Sequence, residues 1–145
     1  MKKRKTWAGF FLAIICGAVI SHLVAQASNK SEDAKVSTVF SRELPKLDGG
    51  HLAAKIVEVT YGPGGASSPH SHPCPVIGYV LEGAVRIQVK GESETIYKAG
   101  ESFYEAPNGI HQVSANASDH EPAKLLAYFI CDHDTPLSVP IAGGK

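Results

Sequence analysis

Beyond residue 50, apolar residues come in short runs that alternate with polar ones and are broken by glycine and proline. Ala84 to Val89 shows this most cleanly, with Val85, Ile87 and Val89 alternating with Arg86 and Gln88. A period of two puts one face of a strand in a core and the other in water. Leu52 to Tyr61 carries a β-branched centre at Ile56, Val57, Val59 and Thr60, side chains that suit a pleated surface. Val76 to Leu81, Thr95 to Tyr97, Ser102 to Glu105, His111 to Ser114 and Lys124 to Cys131 read as further strands. Val36 to Leu44, stopped by Pro45, is expected to be a first strand. Asp48-Gly49-Gly50, Gly62-Pro63-Gly64-Gly65, Glu82-Gly83, Lys90-Gly91-Glu92 and Pro107-Asn108-Gly109 are turn signals between them. No capping box leads into an amphipathic run of helical length. Short strands, regular turns and no crossover helices predict an all-β sandwich or closed barrel.

The start of the chain has a different character. Lys2, Lys3, Arg4 and Lys5 precede an apolar run from Phe10 to Ile20, and Ala25-Gln26-Ala27 supplies a small-x-small cleavage pattern. Residues 1–27 are therefore expected to be a signal peptide, residues 28–35 a polar, disordered lead, and residues 36–145 one domain. The apolar run is short for a membrane-spanning helix, so no stable membrane association is expected after cleavage, an uncleaved anchor being the alternative. Cys16 lies inside that run and reads as apolar filler. The expected location is outside the cytoplasm, periplasmic or secreted. The whole chain has 14 basic and 14 acidic residues. Without the four basic residues of the signal, ten face fourteen, a net charge of −4. No basic stripe remains, which argues against a nucleic-acid partner. Cys74 and Cys131 are the cysteines left after cleavage. They are too few for a disulfide framework, though one bridge between them is open to an exported protein.

The chemistry concentrates in Pro69-His70-Ser71-His72-Pro73-Cys74-Pro75. Proline disfavours helix here, and in an extended segment residues i and i+2 face the same way, so His70 and His72 aim two neutral nitrogens at one point. Alone, such a pair fits a surface loop equally well. Gly100-Glu101-Ser102-Phe103-Tyr104-Glu105-Ala106-Pro107-Asn108-Gly109-Ile110-His111 changes the balance. It delivers a third histidine after a turn, far enough along for hairpins to return it to the first pair.

With Gly64, His70, His72 and Gly83 followed by Gly100, Pro107, Gly109 and His111, the chain resembles the cupin superfamily, specifically its small single-domain members. The resemblance implies a double-stranded β-helix, or jelly roll, with a divalent transition metal (iron, manganese, zinc, nickel or copper) in its mouth. It carries over His70, His72 and His111 as metal ligands. The glutamate of the first motif falls on Val76, so no carboxylate is carried over from that position. In the second motif, one residue fewer separates Gly109 from the histidine, and Asn116 stands near the usual asparagine.

Three neutral nitrogens leave an ion its full charge and open positions, which favours a small, anionic ligand. Relatives with three-histidine iron sites carry out oxygen-dependent cleavage of small acids or thiols, so a dioxygenase-type reaction is the enzyme expectation. A non-catalytic binding or sensing module on the same fold is the alternative. Cys74 shares the parity of the histidines if the segment stays extended. Its thiolate is then a ligand or a close neighbour of the metal, or its thiol is a small buried side chain. Glu105 shares a strand face with Phe103 and reads either as an inward acceptor or general base or as a surface charge beside a turn. His51, His120 and Asp132-His133-Asp134 read as solvated turn residues. Exposed sheet edges leave room for a homodimer.

Overall fold

The computed structural model describes residues 36–48 and 50–141. The expected signal peptide and polar lead lie outside the described residues. Nine strands form: β1 (Ala53–Tyr61), β2 (His70–Ser71), β3 (Val76–Glu82), β4 (Ala84–Val89), β5 (Thr95–Lys98), β6 (Ser102–Glu105), β7 (Ile110–Asn116), β8 (Ala123–Cys131) and β9 (Val139–Pro140). They make two antiparallel sheets, ordered β1-β8-β3-β6 and β5-β4-β7-β2-β9. No helix occurs among the described residues. This is the all-β jelly roll expected from the strand and turn pattern.

The strand β8 shows why the sheets face one another. Ala123, Leu125, Ala127, Phe129 and Cys131 alternate with half-buried neighbours along its whole length, so one face enters the core. Val76 and Val80 of β3, Val85 and Ile87 of β4 and Phe103 of β6 meet it from both sheets. Gly83 takes a left-handed φ of 68° between β3 and β4, where its missing side chain is needed because a Cβ would stand 2.5 Å from the Pro122 carbonyl oxygen.

Gly78 has a different job. It lies opposite Phe103 in the β3–β6 register, and a Cβ there would come 2.1 Å from Phe103 Cζ. The phenyl ring occupies the space the glycine leaves. Gly78→Ala is expected to cost at least about 1–3 kcal/mol by overpacking, read as a lower denaturant midpoint with an unchanged m-value.

Val36 to Leu44 is not a strand. The segment is extended and mostly exposed, and Val39 and Phe40 border the outer face of the first sheet beside Ile56, Ile77, Tyr79 and Tyr128. Arg42 lies 4.6 Å from the Tyr104 ring centroid. Val36 and Val39 stay largely exposed, and the segment joins neither sheet. The short β9 was not foreseen, because a two-residue strand ending in proline carries no alternation to read.

Candidate metal centre

The mouth of the barrel is built where β2 joins the second sheet between β7 and β9. His70 pairs directly with His111 across β2 and β7. Their rings stack, with centroids 5.0 Å apart and planes 10° from parallel. His72 follows just past β2 and stands edge-on to both, 4.8 Å from the His70 centroid and 5.2 Å from that of His111. Phe129 of β8 packs edge-on against His72 at 5.1 Å. The three rings therefore lie side by side, while the group whose ligand atoms all lie within 4.8 Å of one another contains His72 and His111 but not His70.

Hydrogen bonds fix which nitrogen each ring presents. His70 Nδ1 lies 2.7 Å from the Ser68 carbonyl oxygen, and His72 Nδ1 lies 2.6 Å from that of Leu137. A carbonyl only accepts, so each Nδ1 carries the proton and donates it. Each Nε2 keeps its lone pair free, the arrangement typical of metal-ligating histidine. Burial, the largest influence on His72, moves its pKa below the ordinary imidazole value; the Leu137 hydrogen bond and Glu105 oppose this more weakly. The ring therefore stays neutral at pH 7, the state a metal requires.

The carboxylate comes from β6. Glu105 is 6% exposed and points inward with Phe103, its Oε2 lying 2.8 Å from His111 Nε2 and 3.5 Å from His72 Nε2. In the β3–β6 register it stands directly opposite Val76, the position where the motif would place its glutamate. Directly opposed residues share a sheet face with Cβ atoms about 5 Å apart. The neighbouring strand therefore returns a carboxylate to the volume that Val76 leaves apolar. His72, Glu105 and His111 have ligand atoms all within 4.8 Å of one another.

These groups are not satisfied by each other. Glu105 Oε2 and both ring nitrogens of His111 are buried without an aligned hydrogen-bond partner, despite the 2.8 Å approach. Leaving a buried polar group unpaired costs about 1–3 kcal/mol, and more for a charge. A cation bound among these atoms, which all lie within 4.8 Å of one another, would give them the partner they lack. The residues present therefore fit a divalent transition metal.

Cys74 does not belong to this set. Its sulfur is bonded to Cys131, with Cα atoms 5.2 Å apart, which corrects the reading of Cys74 as a ligand or thiol neighbour of the metal. The parity argument needed an extended chain, but the backbone bends at Pro73 and Cys74 and carries the side chain to the end of β8. Asn116 is structural. Its amide donates to the Gly62 and Glu121 carbonyls and its Oδ1 accepts from Ser118 N–H, tying two loops together. His51 and His120 are exposed, and His133 contacts only the adjacent Asp132 carboxylate.

Two spaces that share His70, His72 and Phe129 in their linings border the histidines. An inner cavity of about 100 Å³ reaches from Glu105 and the histidines past Val76, Phe103 and Leu125 to Tyr61 and Ser114. An outer mouth of about 400 Å³ is lined mainly by Val57, Val59, Pro69, Phe129, Leu137 and Pro140, with His70 and His72 at its floor.

Two facing antiparallel sheets with imidazoles and a carboxylate gathered at the mouth define a jelly-roll barrel carrying a candidate metal centre. The chain belongs to the cupin family: the cupin-domain profile matches residues 57–129. Among solved structures, a cupin-like protein from Thermotoga maritima is 25% identical at a TM-score of 0.54, covering 61% of this chain and 64% of its own. An oxalate oxidase in complex with the substrate analogue glycolate is 19% identical at a TM-score of 0.53, covering 79% and 67%. A structure of DMSP lyases is 14% identical at 0.54, covering 61% and 44%. The chain thus spans less than two-thirds of the length of the first and last of these. A sequence search of curated proteins found no significant match.

Proposed function

We propose that this domain is a metal-dependent cupin in which His70, His72, His111 and Glu105 hold one divalent transition metal and present it to a small organic acid. The observation that carries this reading is the convergence of the buried, unpartnered Glu105 Oε2 and His111 nitrogens with two imidazoles whose other nitrogens are already bonded. When bound, the metal supplies Lewis acidity and, if iron, manganese or copper, redox chemistry. Three neutral imidazoles and one carboxylate leave a dication with a net charge of +1, matched to a monoanionic ligand. No lysine or arginine lines either space among the described residues, so an acid head has only the metal to neutralise it.

The largely apolar mouth offers hydrocarbon to the ligand, and the inner cavity of about 100 Å³ restricts the ligand to a small molecule. Phe129 and Leu137 hold His72 from two sides. Apart from the four proposed ligands, Tyr61 is the one titratable side chain lining these spaces among the described residues. That scarcity of acid–base groups favours either oxygen-dependent chemistry or, as a second reading, a binding or sensing module without turnover. The proposal includes export, supported by the Cys74–Cys131 bridge, since such bonds persist in oxidising compartments.

Oxygen uptake by protein loaded anaerobically with iron(II), across a panel of short hydroxy, keto and thiol acids, separates the two readings. Metal-dependent uptake with one class of acid is expected. Binding of those acids with no uptake and no product would leave the module reading in its place.

A further inference from the structure

At the end of the inner cavity away from Glu105, three hydroxyls meet. Tyr61 Oη lies 2.8 Å from Ser67 Oγ and 3.0 Å from Ser114 Oγ, and all three residues line the same cavity as the histidines. Their placement depends on an irregularity in β7. Val89 pairs with His111 but Gln88 pairs with Val113, so β7 holds one extra residue at this point. Residues three apart on a regular strand face opposite ways. The bulge turns both His111 and Ser114 inward, leaving Gln112 exposed.

The proton count then matters. Three hydroxyls carry three protons, and the two hydrogen bonds among them use two, whichever way each is oriented. Neither serine hydroxyl has another side-chain or backbone partner among the described residues. One O–H is therefore always left to donate to something outside the cluster. Along the strands, His70 faces His111 while Ser67 N–H donates to the Ser114 carbonyl at 2.9 Å. The separation between these pairs is three residues on the β2 side, at most about 10 Å at about 3.3 Å per residue, and less because the chain bends at Pro69. Between them the lining is apolar: Val57, Val59, Ile87, Leu125 and Ala127.

We propose that the Tyr61–Ser67–Ser114 hydroxyl cluster is a specificity site that donates a hydrogen bond to an acceptor oxygen at the far end of a short acid whose carboxylate sits on the metal. This rests on the metal-centre reading above. It names the ligand class as a carboxylate and a keto or ether oxygen joined by a few methylenes, selected over acids with an apolar tail.

The test uses cobalt(II)-loaded protein and the change in its visible spectrum on titration with levulinate, a keto acid, and valerate, its apolar counterpart, and with the same pair one methylene longer. In the wild type, at least one keto acid is expected to bind about fivefold tighter than its counterpart, the scale of one net hydrogen bond. In the triple variant Tyr61→Phe, Ser67→Ala, Ser114→Ala, still retaining cobalt and stripped of every donor of the cluster, that ratio is expected to fall to one. A cluster that only braced the loops would lower thermal stability in this variant without moving the ratio. Equal affinities within both pairs in the wild type, or a ratio preserved in the triple variant, would overturn the proposal while leaving the metal centre intact. Failure of the wild type to retain cobalt would overturn both together.

Discussion

Replacing Glu105 with glutamine is expected to weaken metal affinity by at least about tenfold while leaving the metal-free protein as stable as the wild type or more so. The two effects have one cause. Glu105 is buried, with its Oε2 2.8 Å from His111 Nε2 but without an aligned hydrogen bond, and a desolvated carboxylate so placed costs stability that a bound cation returns. Glutamine keeps the shape and removes the charge. Relief of about 1 kcal/mol would raise the apo melting temperature by a few degrees in a domain of this size. Loss of even an outer partner of a ligand costs about 10–100-fold in metal affinity, so loss of a direct ligand should reach at least the lower end. Isothermal titration with cobalt(II) and a thermal melt in chelator measure the two halves. A variant that is markedly destabilised when metal-free and unchanged in affinity would make Glu105 a structural partner of His111 instead.

The second large effect concerns the Cys74–Cys131 bridge. It closes a loop with a sequence separation of 57 residues and joins the chain just after His72 to the end of the central strand β8. Restricting a loop of that length in the unfolded chain contributes about 4 kcal/mol in the chain-entropy picture. Both residues are buried, so Cys74→Ala with Cys131→Ala avoids placing new polar atoms in the core. Urea unfolding of the double variant is expected to lose most of that stability, and the wild type in reductant should behave likewise. A loss under about 1 kcal/mol, below the usual range for a native bridge, would contradict the bridge's structural weight.

What was legible in the chain follows the range of the forces involved. Alternation is local, so β4 and β6 fall on Ala84–Val89 and Ser102–Glu105 as read from the pattern. The same parity turned Glu105 inward with Phe103. Register is not local. That Glu105 would stand opposite Val76, and so return a carboxylate to the place the first motif leaves empty, depends on how two distant strands slide against each other. The ligand alternative for Cys74 gives way to the bridge for the same reason: parity holds only while the chain stays extended, and the bend after His72 ends it. Leu137 was invisible because its part is played by a backbone carbonyl, which any residue supplies. Val36 to Leu44 joins no sheet because apolar content alone does not supply a partner edge, and Val36 and Val39 remain largely exposed.

The proposed centre shares one ion among His70, His72, His111 and Glu105. Cobalt(II) bound per chain after dialysis, measured by elemental analysis for the wild type and for His70→Ala, His72→Ala and His111→Ala, tests it directly. The expected result is one equivalent in the wild type and a large loss in each variant. Equal cobalt in all four proteins, or none in the wild type, would contradict it.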